Sequence, residues 1–205
     1  MRIKICGLTR VEDARAAIDA GVDALGLVFH PPSPRCVDLA QAAQLARLAP
    51  PFVSVVGLFV NADPQRVRET LAAVPLHLLQ FHGDEDEDYC RQFKRPYIKA
   101  ARMKPGFDLL HYASAFPTAQ AILADAFVDT YGGGGKTFDW RLIPPGLPKP
   151  LVLSGGLDAA NVAEAIARVG PAAVDVSSGV EITRGIKDVA KIRAFVAAAR
   201  AATIA

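Results

Sequence analysis

Two residues suited to proton transfer stand directly after short apolar runs of the sequence. Cys6 ends the run IKIC, and Asp125 follows the run AILA. A free thiol has a pKa of about 8.5, so Cys6 forms a thiolate readily only near positive charge or helix N-termini. A buried cysteine is more often a small hydrophobic residue, and a lone aspartate often serves as a cap or turn residue. Residue type alone leaves both interpretations open.

Two segments of small residues predict a site for an anion. The segments SGGL (154–157) and DVSSG (175–179) each follow a strand-like run. Small residues let backbone N–H groups approach an oxyanion, and helix N-termini add a favourable dipole. Tight turns alone would also need glycine, but two neighbouring loops of the same character favour phosphate. The residues expected to bind it are Gly155, Gly156, Ser178 and Gly179.

Other polar residues also stand where strand-like runs end. Arg35, in the segment HPPSPR, is either a surface side chain or a guanidinium that meets a carboxylate with two parallel hydrogen bonds. His82 is either a structural hydrogen-bonding residue or, with Gln80 and Asp175, a contact to a substrate. The glycine-rich segment GGGGKTFDW (132–140) is either a lid or a flexible connection, because such a run is costly in entropy.

Eight runs have the composition of buried parallel strands and must position these residues. Several are apolar almost throughout, as expected where both faces of a strand are covered. The runs are 3–6, 24–29, 53–60, 76–81, 97–101, 121–124, 151–154 and 173–177.

Capping residues and apolar spacing predict helices between these runs. Thr9 begins a T-x-x-E capping box, and Asp63 precedes a proline at a first helical position. Asp84 and Glu87 are expected to open the helix after the fourth strand. Weaker helical signals lie at 107–116 and 139–143, and the second of these is short enough for a single turn.

The alternation of strands and helices predicts an α/β fold. It suits either a doubly wound sheet or a closed barrel, and the count of eight favours a single (β/α)8 TIM barrel. No linker or low-complexity stretch divides the 205 residues, so one domain over 1–205 is expected. In such a barrel the residues after the strands face one common pocket, where catalytic loops belong.

Composition limits the possible partners. The formal net charge is +2, so no overall basic field indicates nucleic acid. No signal peptide or membrane-spanning run is evident, which predicts a cytoplasmic protein without membrane contact. Three cysteines without a CxxC pair predict free thiols. The absence of HExxH and of GxGxxG after the first strand predicts neither a metal site nor a nicotinamide or flavin cofactor.

An ordered set of short motifs resembles the phosphoribosylanthranilate isomerase family of tryptophan biosynthesis. The motifs run from the first strand to the last: KICGLTR (4–10), SPR (33–35), LQFHGDE (79–85), GGGGKTFDW (132–140), LSGGL (153–157) and DVSSGVE (175–181). Each string alone is a weak signal, but the ordered set covers nearly the whole chain and is highly specific. The resemblance implies a TIM barrel that isomerises a small phosphorylated aminosugar.

The resemblance also implies roles for individual residues. It makes Cys6 the general base, Asp125 the general acid and Arg35 the contact to the anthranilate carboxylate. It implies no cofactor, because the substrate's own nitrogen acts as the electron sink. Gly134, a further expected phosphate contact, replaces the Ser or Thr usual in this loop, and Cys36 stands where larger residues are common.

Three other functions remain open from the residues alone. The chain could be another phosphosugar isomerase or epimerase, a non-catalytic phospholigand-binding protein or a thiol redox sensor. The joint presence of Cys6, Asp125 and Arg35 argues against a mere binding protein. No second cysteine lies near Cys6 in sequence, which argues against a redox pair. A monomer or a homodimer is expected.

Overall fold

The apolar runs form a closed parallel barrel in the computed structural model, which describes residues 1–127 and 137–202. Each strand pairs with the next in sequence, and the last pairs with the first. The predicted TIM barrel and its eight strands are therefore confirmed. The barrel strands are β1 (Arg2–Cys6), β2 (Ala24–Val28), β3 (Ser54–Phe59), β4 (Leu78–Phe81), β5 (Tyr97–Met103), β6 (Ala121–Ala126), β7 (Leu151–Leu153) and β8 (Ala173–Val176).

Helices cover the outside of the barrel, and a small hairpin follows the eighth strand. The helices are α1 (Val11–Asp19), α2 (Leu39–Ala46), α3 (Pro64–Ala73), α4 (Glu87–Arg91), α5 (Leu109–Ser114), α6 (Val162–Val169) and α7 (Val189–Ala201). Single 3-10 turns lie at Trp140–Leu142 and Ser178–Val180. The hairpin pairs β9 (Glu181–Thr183) with β10 (Ile186–Lys187).

Two of the capping predictions were wrong, and one helix was not predicted. The capping box at Thr9 does not form, because its hydroxyl donates to the carbonyl of Gly185 and α1 has no side-chain cap. The helix after β4 begins at Glu87, one of the two residues predicted to open it, but its cap is Asp86, whose side chain accepts from the N–H of Tyr89, and not Asp84. The unpredicted helix is α2.

The remaining helical predictions were correct. The side chain of Asp63 caps α3 by accepting from the N–H of Gln65, with Pro64 in the first turn. A short helix, α5, lies within 107–116, and 139–143 contains a single 3-10 turn.

Side chains alternate between the barrel interior and the helix layer, and this alternation positions the polar residues. Ile122 and Ala124 of β6 belong to the core under the helices, whereas Ala121 and Leu123 belong to a separate cluster with residues of β5 and β7. Successive side chains of a strand point to opposite faces, so Asp125 shares the inner face with Leu123. No helix within the described residues is long and apolar enough to cross a membrane.

Candidate active site

One cavity opens at the carboxyl ends of the barrel strands and contains most of the predicted site residues. It has a volume of about 700 Å³, including its mouth. The predicted residues that line it are Cys6, Arg35, Gln80, His82, Asp125, Gly155, Gly156, Asp175 and Ser178. Gly179 does not line it, and Gly134 lies outside the described residues.

Cys6 is buried beside an ion pair of the barrel interior. Lys4, two residues earlier on the same face of β1, lies 2.8 Å from the carboxylate of Asp175. Burial raises the pKa of the Cys6 thiol, although the charges of Lys4 and Lys187 act in the opposite direction. Gly26 of β2 makes room for the thiol, since a Cβ there would stand 2.9 Å from its Sγ.

Asp175 was predicted to contact the substrate, and the structure shows that it already has a buried partner. Burial lowers the pKa of Lys4, but the charges of Asp175 and Cys6 outweigh this effect and raise it above its ordinary value. Lys4 therefore keeps its positive charge next to the thiol. Asp175 still lines the cavity, with only 4% of its surface exposed.

Arg35 also has a protein partner that was not predicted. Its Nε and Nη2 donate to the two carboxylate oxygens of Glu181, at 2.8 and 2.7 Å. The backbone of Gly7 lies against the Arg35 side chain, because a Cβ at that position would stand 2.4 Å from its Cδ. A guanidinium has five N–H donors, so these two bonds leave the edge formed by Nη1 and Nη2 for a second carboxylate.

Lys187 joins this ion pair to the strand that carries Cys6. Its Nζ donates to the carboxylate of Glu181 at 2.8 Å and to the carbonyl of Cys6 at 2.6 Å. Burial alone would raise the pKa of Glu181, but Arg35 and Lys187 together hold it below its ordinary value. The carboxylate of Glu181 is therefore ionised between two cations.

Asp125 lies at the end of a chain of three side chains on the inner faces of β4 and β6. The Nε2 of Gln80 is 2.9 Å from the Nδ1 of His82, and the Nε2 of His82 is 3.0 Å from an oxygen of Asp125. The other carboxylate oxygen accepts from the N–H of Ala126 at 2.9 Å. His82 is thus held by two protein groups, as the structural interpretation predicted, and it also lines the cavity.

The loops after β7 and β8 meet at the proposed phosphate site. Gly155 and Gly156 have positive φ values of 84° and 64°, which favour glycine. A Cβ at Gly179 would stand 1.9 Å from the carbonyl oxygen of Leu157, so this glycine lets the two loops touch. Ser178 begins a 3-10 turn beside them. Gly179 therefore packs against the loop after β7, while Gly155, Gly156 and Ser178 line the cavity.

The chain as a whole is similar to proteins of one family. A sequence model of N-(5'-phosphoribosyl)anthranilate (PRA) isomerase matches residues 3–198. The chain belongs to this isomerase family. It is 62% identical, over 98% of its length and 97% of the relative's, to N-(5'-phosphoribosyl)anthranilate isomerase of Dechloromonas aromatica.

Solved structures of the isomerase family agree with this assignment. Phosphoribosyl anthranilate isomerase of Thermotoga maritima superposes with a TM-score of 0.89 at 42% identity, covering 98% of both chains. Another phosphoribosyl anthranilate isomerase structure, in complex with reduced 1-(o-carboxyphenylamino)-1-deoxyribulose 5-phosphate, gives a TM-score of 0.84 at 38% identity with the same coverage. Both similarities cover nearly the whole barrel.

Three charged residues of this isomerase family member were not predicted to belong to its site. Lys4 lies within a strand, and Glu181 and Lys187 lie beyond the eighth strand. Glu181 ends the motif DVSSGVE, which was a usable signal, whereas nothing local marks Lys187. Within the described residues, no group of three or more His, Cys, Asp or Glu side chains is arranged to hold a metal ion.

Proposed function

We propose that this chain catalyses the Amadori rearrangement of N-(5'-phosphoribosyl)anthranilate to 1-(o-carboxyphenylamino)-1-deoxyribulose 5-phosphate, as an enzyme of tryptophan biosynthesis. The observation that carries the proposal is that Cys6, Asp125 and Arg35 line one cavity. The two glycines after β7, Gly155 and Gly156, line the same cavity. This cavity offers a base, an acid, a guanidinium and an anion site to one small molecule. Membership of the isomerase family supports the same reaction.

Asp125 acts as the general acid in the first step. Its protonated carboxyl gives a proton to the ring oxygen of the ribose, and the bond between this oxygen and the first carbon breaks. The anthranilate nitrogen then forms a Schiff base with that carbon. The substrate supplies this nitrogen itself, so the step needs no cofactor.

Cys6 acts as the general base in the second step. Its thiolate removes the proton from the second carbon, and the electrons move to the nitrogen to give an enolamine. The ketone forms when the first carbon gains a proton and the hydroxyl of the second carbon loses one. Cys6 can give the first of these protons and Asp125 can take the second, which returns both groups to their starting states.

Lys4 and Lys187 assist the base by their charge. Burial disfavours the thiolate of Cys6, and the positive charges of these two lysines favour it. The network around Cys6 contains three cations, Lys4, Lys187 and Arg35, and two carboxylates, Asp175 and Glu181. A thiolate on Cys6 therefore neutralises the one positive charge that remains.

The two ends of the substrate are held by different parts of the cavity. The free Nη1–Nη2 edge of Arg35 meets the anthranilate carboxylate, while Glu181 fixes the guanidinium from its other edge. Gly155, Gly156 and Ser178 hold the phosphate, because backbone N–H groups and small side chains suit an anion. These contacts orient the sugar between Cys6 and Asp125.

Turnover of freshly prepared substrate tests the proposal. Anthranilate fluorescence should change with time in the presence of the purified protein, and Cys36→Ala should behave like the wild type as a matched thiol control. Binding without turnover would indicate a phospholigand-binding protein instead. Turnover of a different phosphosugar alone would indicate a sister isomerase.

We further propose that residues 1–205 form one domain, that the protein works in the cytoplasm and that it binds no nucleic acid. A homodimer is one expected form, since the Thermotoga maritima isomerase is dimeric. Analytical ultracentrifugation at micromolar concentration distinguishes a dimer from a monomer.

A further inference from the structure

Gln80 carries an unpartnered oxygen in the wall of the cavity. The residue is completely buried on β4, and its Oε1 accepts no hydrogen bond from residues 1–127 or 137–202. Leaving a buried polar atom without a partner is unfavourable, because the atom gives up its hydrogen bonds to water. The orientation of this amide is coupled to its neighbours, because Gln80, His82 and Asp125 form one hydrogen-bonded chain.

The present orientation of the amide determines where the protons of the chain lie. The Nε2 of Gln80 can only donate, so the Nδ1 of His82 must accept and carries no proton. The single proton of a neutral imidazole is then on Nε2, which donates to Asp125. Asp125 also accepts from the N–H of Ala126. Two donors on its oxygens suit an ionised carboxylate, which has no proton to give.

The opposite orientation of the same amide suits the protonated acid. A half-turn of the Gln80 amide places Oε1 against His82, where it accepts a proton from Nδ1. The Nε2 of His82 is then bare and accepts the proton carried by Asp125. This arrangement holds one proton more than the first. It gives Oε1 a hydrogen bond while Nε2 loses its own, so each orientation leaves one end of the amide without a partner among the described residues. The two ends of an amide have nearly the same shape, so the rotation leaves the packing unchanged.

We propose that Gln80 and His82 are positioning residues that stabilise ionised Asp125 with the amide as it stands in the structure and protonated, acid Asp125 with the amide turned by a half-turn. When Asp125 gives its proton to the ring oxygen, Nε2 of the partly exposed His82 takes up a proton from solvent, Nδ1 releases one to solvent, and the amide turns back. When Asp125 takes a proton from the substrate hydroxyl, these changes reverse. The catalytic part rests on the proposed function, whereas the coupling between the amide and the imidazole can be tested without substrate.

Nitrogen NMR of the imidazoles tests the coupling directly. In Asp125→Asn, the N–H of Ala126 keeps the amide oxygen on its own side, so the amide nitrogen donates to the Nε2 of His82. His82 should therefore change from the Nε2–H tautomer in the wild type to the Nδ1–H tautomer in the variant. His77 is the internal control, because its Nδ1 accepts from the N–H of Val55 in both proteins. An unchanged His82 tautomer would overturn the proposal, whatever the protein's activity.

Kinetics of Gln80→Met test the catalytic part. The variant should lower kcat about tenfold or more, since acid–base groups contribute about 10²–10⁴-fold, and it should leave KM nearly unchanged. Gln80→Glu keeps an acceptor for Nδ1 and should retain more activity than Gln80→Met. Gln41→Met is the matched control, because the Gln41 amide bonds the carbonyl of Thr9 outside the cavity. A raised KM with unchanged kcat would make Gln80 a substrate contact instead.

Discussion

Cys6 shows how one residue can be both a core residue and a candidate base. Its side chain is buried as a structural thiol would be, yet it lines the cavity beside Lys4. Burial raises its pKa, and the lysines limit the rise. The burial of Cys6 agrees with a small hydrophobic residue, and its place in the cavity is compatible with a base. Rate measurements distinguish the two interpretations.

Replacing the proposed base should abolish most of the activity without unfolding the protein. Cys6→Ala is expected to lower kcat by about 10²–10⁴-fold, the usual contribution of a positioned proton-transfer group. Cys6→Ser should also be slow, because a hydroxyl is a much weaker acid than a thiol and forms little alkoxide. Steady-state kinetics with thermal melting check this, with Cys36→Ala as control. Near-normal turnover in Cys6→Ala would refute the role.

Arg35 is expected to bind the carboxylate of the substrate. Arg35→Met is expected to weaken binding of reduced 1-(o-carboxyphenylamino)-1-deoxyribulose 5-phosphate by about 10- to 100-fold, as for the loss of a charged hydrogen bond. The same compound made from aniline lacks the carboxylate and should bind both proteins equally. Inhibition constants for the two compounds give the comparison. An equal loss for both would mean that Arg35 does not contact that group.

At the scale of elements, the β9–β10 hairpin holds the first strand and the Arg35 loop together. The hydroxyl of Thr9 donates to the carbonyl of Gly185, and the N–H of Lys187 donates to Asp13 of α1. Glu181 at the start of the hairpin bonds Arg35 from the second loop. Two loops that are distant in sequence are thus fixed on either side of Cys6.

The buried charge of Glu181 should make stability depend on acid pH. Its pKa is below the ordinary 4.5 in the folded protein, so the unfolded chain binds the proton more readily. Its stabilising contribution is therefore complete above pH 4.5 and is lost as the pH falls through the lower, folded pKa. Glu181→Gln should destabilise the protein at neutral pH by about 3–5 kcal/mol, because two buried cations lose their partner.

Urea unfolding at several pH values checks this prediction. The slope of the free energy of unfolding against pH below 4.5 should be smaller in Glu181→Gln than in the wild type. Glu12→Gln, at an exposed ion pair with Arg10, should leave the stability at neutral pH nearly unchanged. Parallel profiles for Glu181→Gln and wild type would contradict the assignment.

The glycine loops should bind phosphate as a unit. A phosphorylated ligand at about 100 times its Kd stabilises the folded state by about 2.7 kcal/mol, which raises the Tm of a chain of this size by roughly 5–10 °C. Gly156→Val should lose this protection. Gly146→Val is the control, because Gly146 also has a positive φ, 74°, but lies outside the cavity. Full protection of Gly156→Val would place the anion elsewhere.

At the scale of the whole molecule, closure of the barrel makes every strand depend on its neighbours. β1 pairs with both β2 and β8, so the first and last strands stabilise each other directly. The single tryptophan, Trp140, lies in the 3-10 turn between β6 and β7 and packs against the main core. Its fluorescence therefore reports on the segment between β6 and β7.

One cooperative domain should lose all of this structure together. Urea unfolding followed by Trp140 fluorescence and by far-UV circular dichroism should give coincident midpoints. The physical reason is that opening the barrel at any strand pair exposes the core shared by all the helices. A fluorescence midpoint at clearly lower urea would show that the segment around Trp140 unfolds separately.

The sequence by itself determined the architecture and most of the cavity wall. Apolar runs are a local property, and eight of them separated by helical spacing favour a closed barrel. The ends of these runs then place Cys6, Gln80, Asp125 and Gly155 at one mouth, because parallel strands end on the same side. Capping was less predictable, since the hydroxyl of Thr9 found a tertiary acceptor instead of its own helix.

Only the tertiary structure decided which charges face one another. Lys4 and Asp175 are 171 residues apart in sequence, and Arg35 and Glu181 are 146 apart. No local pattern encodes such pairs, because each depends on the closure of the barrel and the path of the β9–β10 hairpin. The same closure brings His82 to Asp125 and buries the Gln80 amide behind it. Residue types suggested the chemistry, but the charge and proton state of the site come from contacts that form only when the barrel closes.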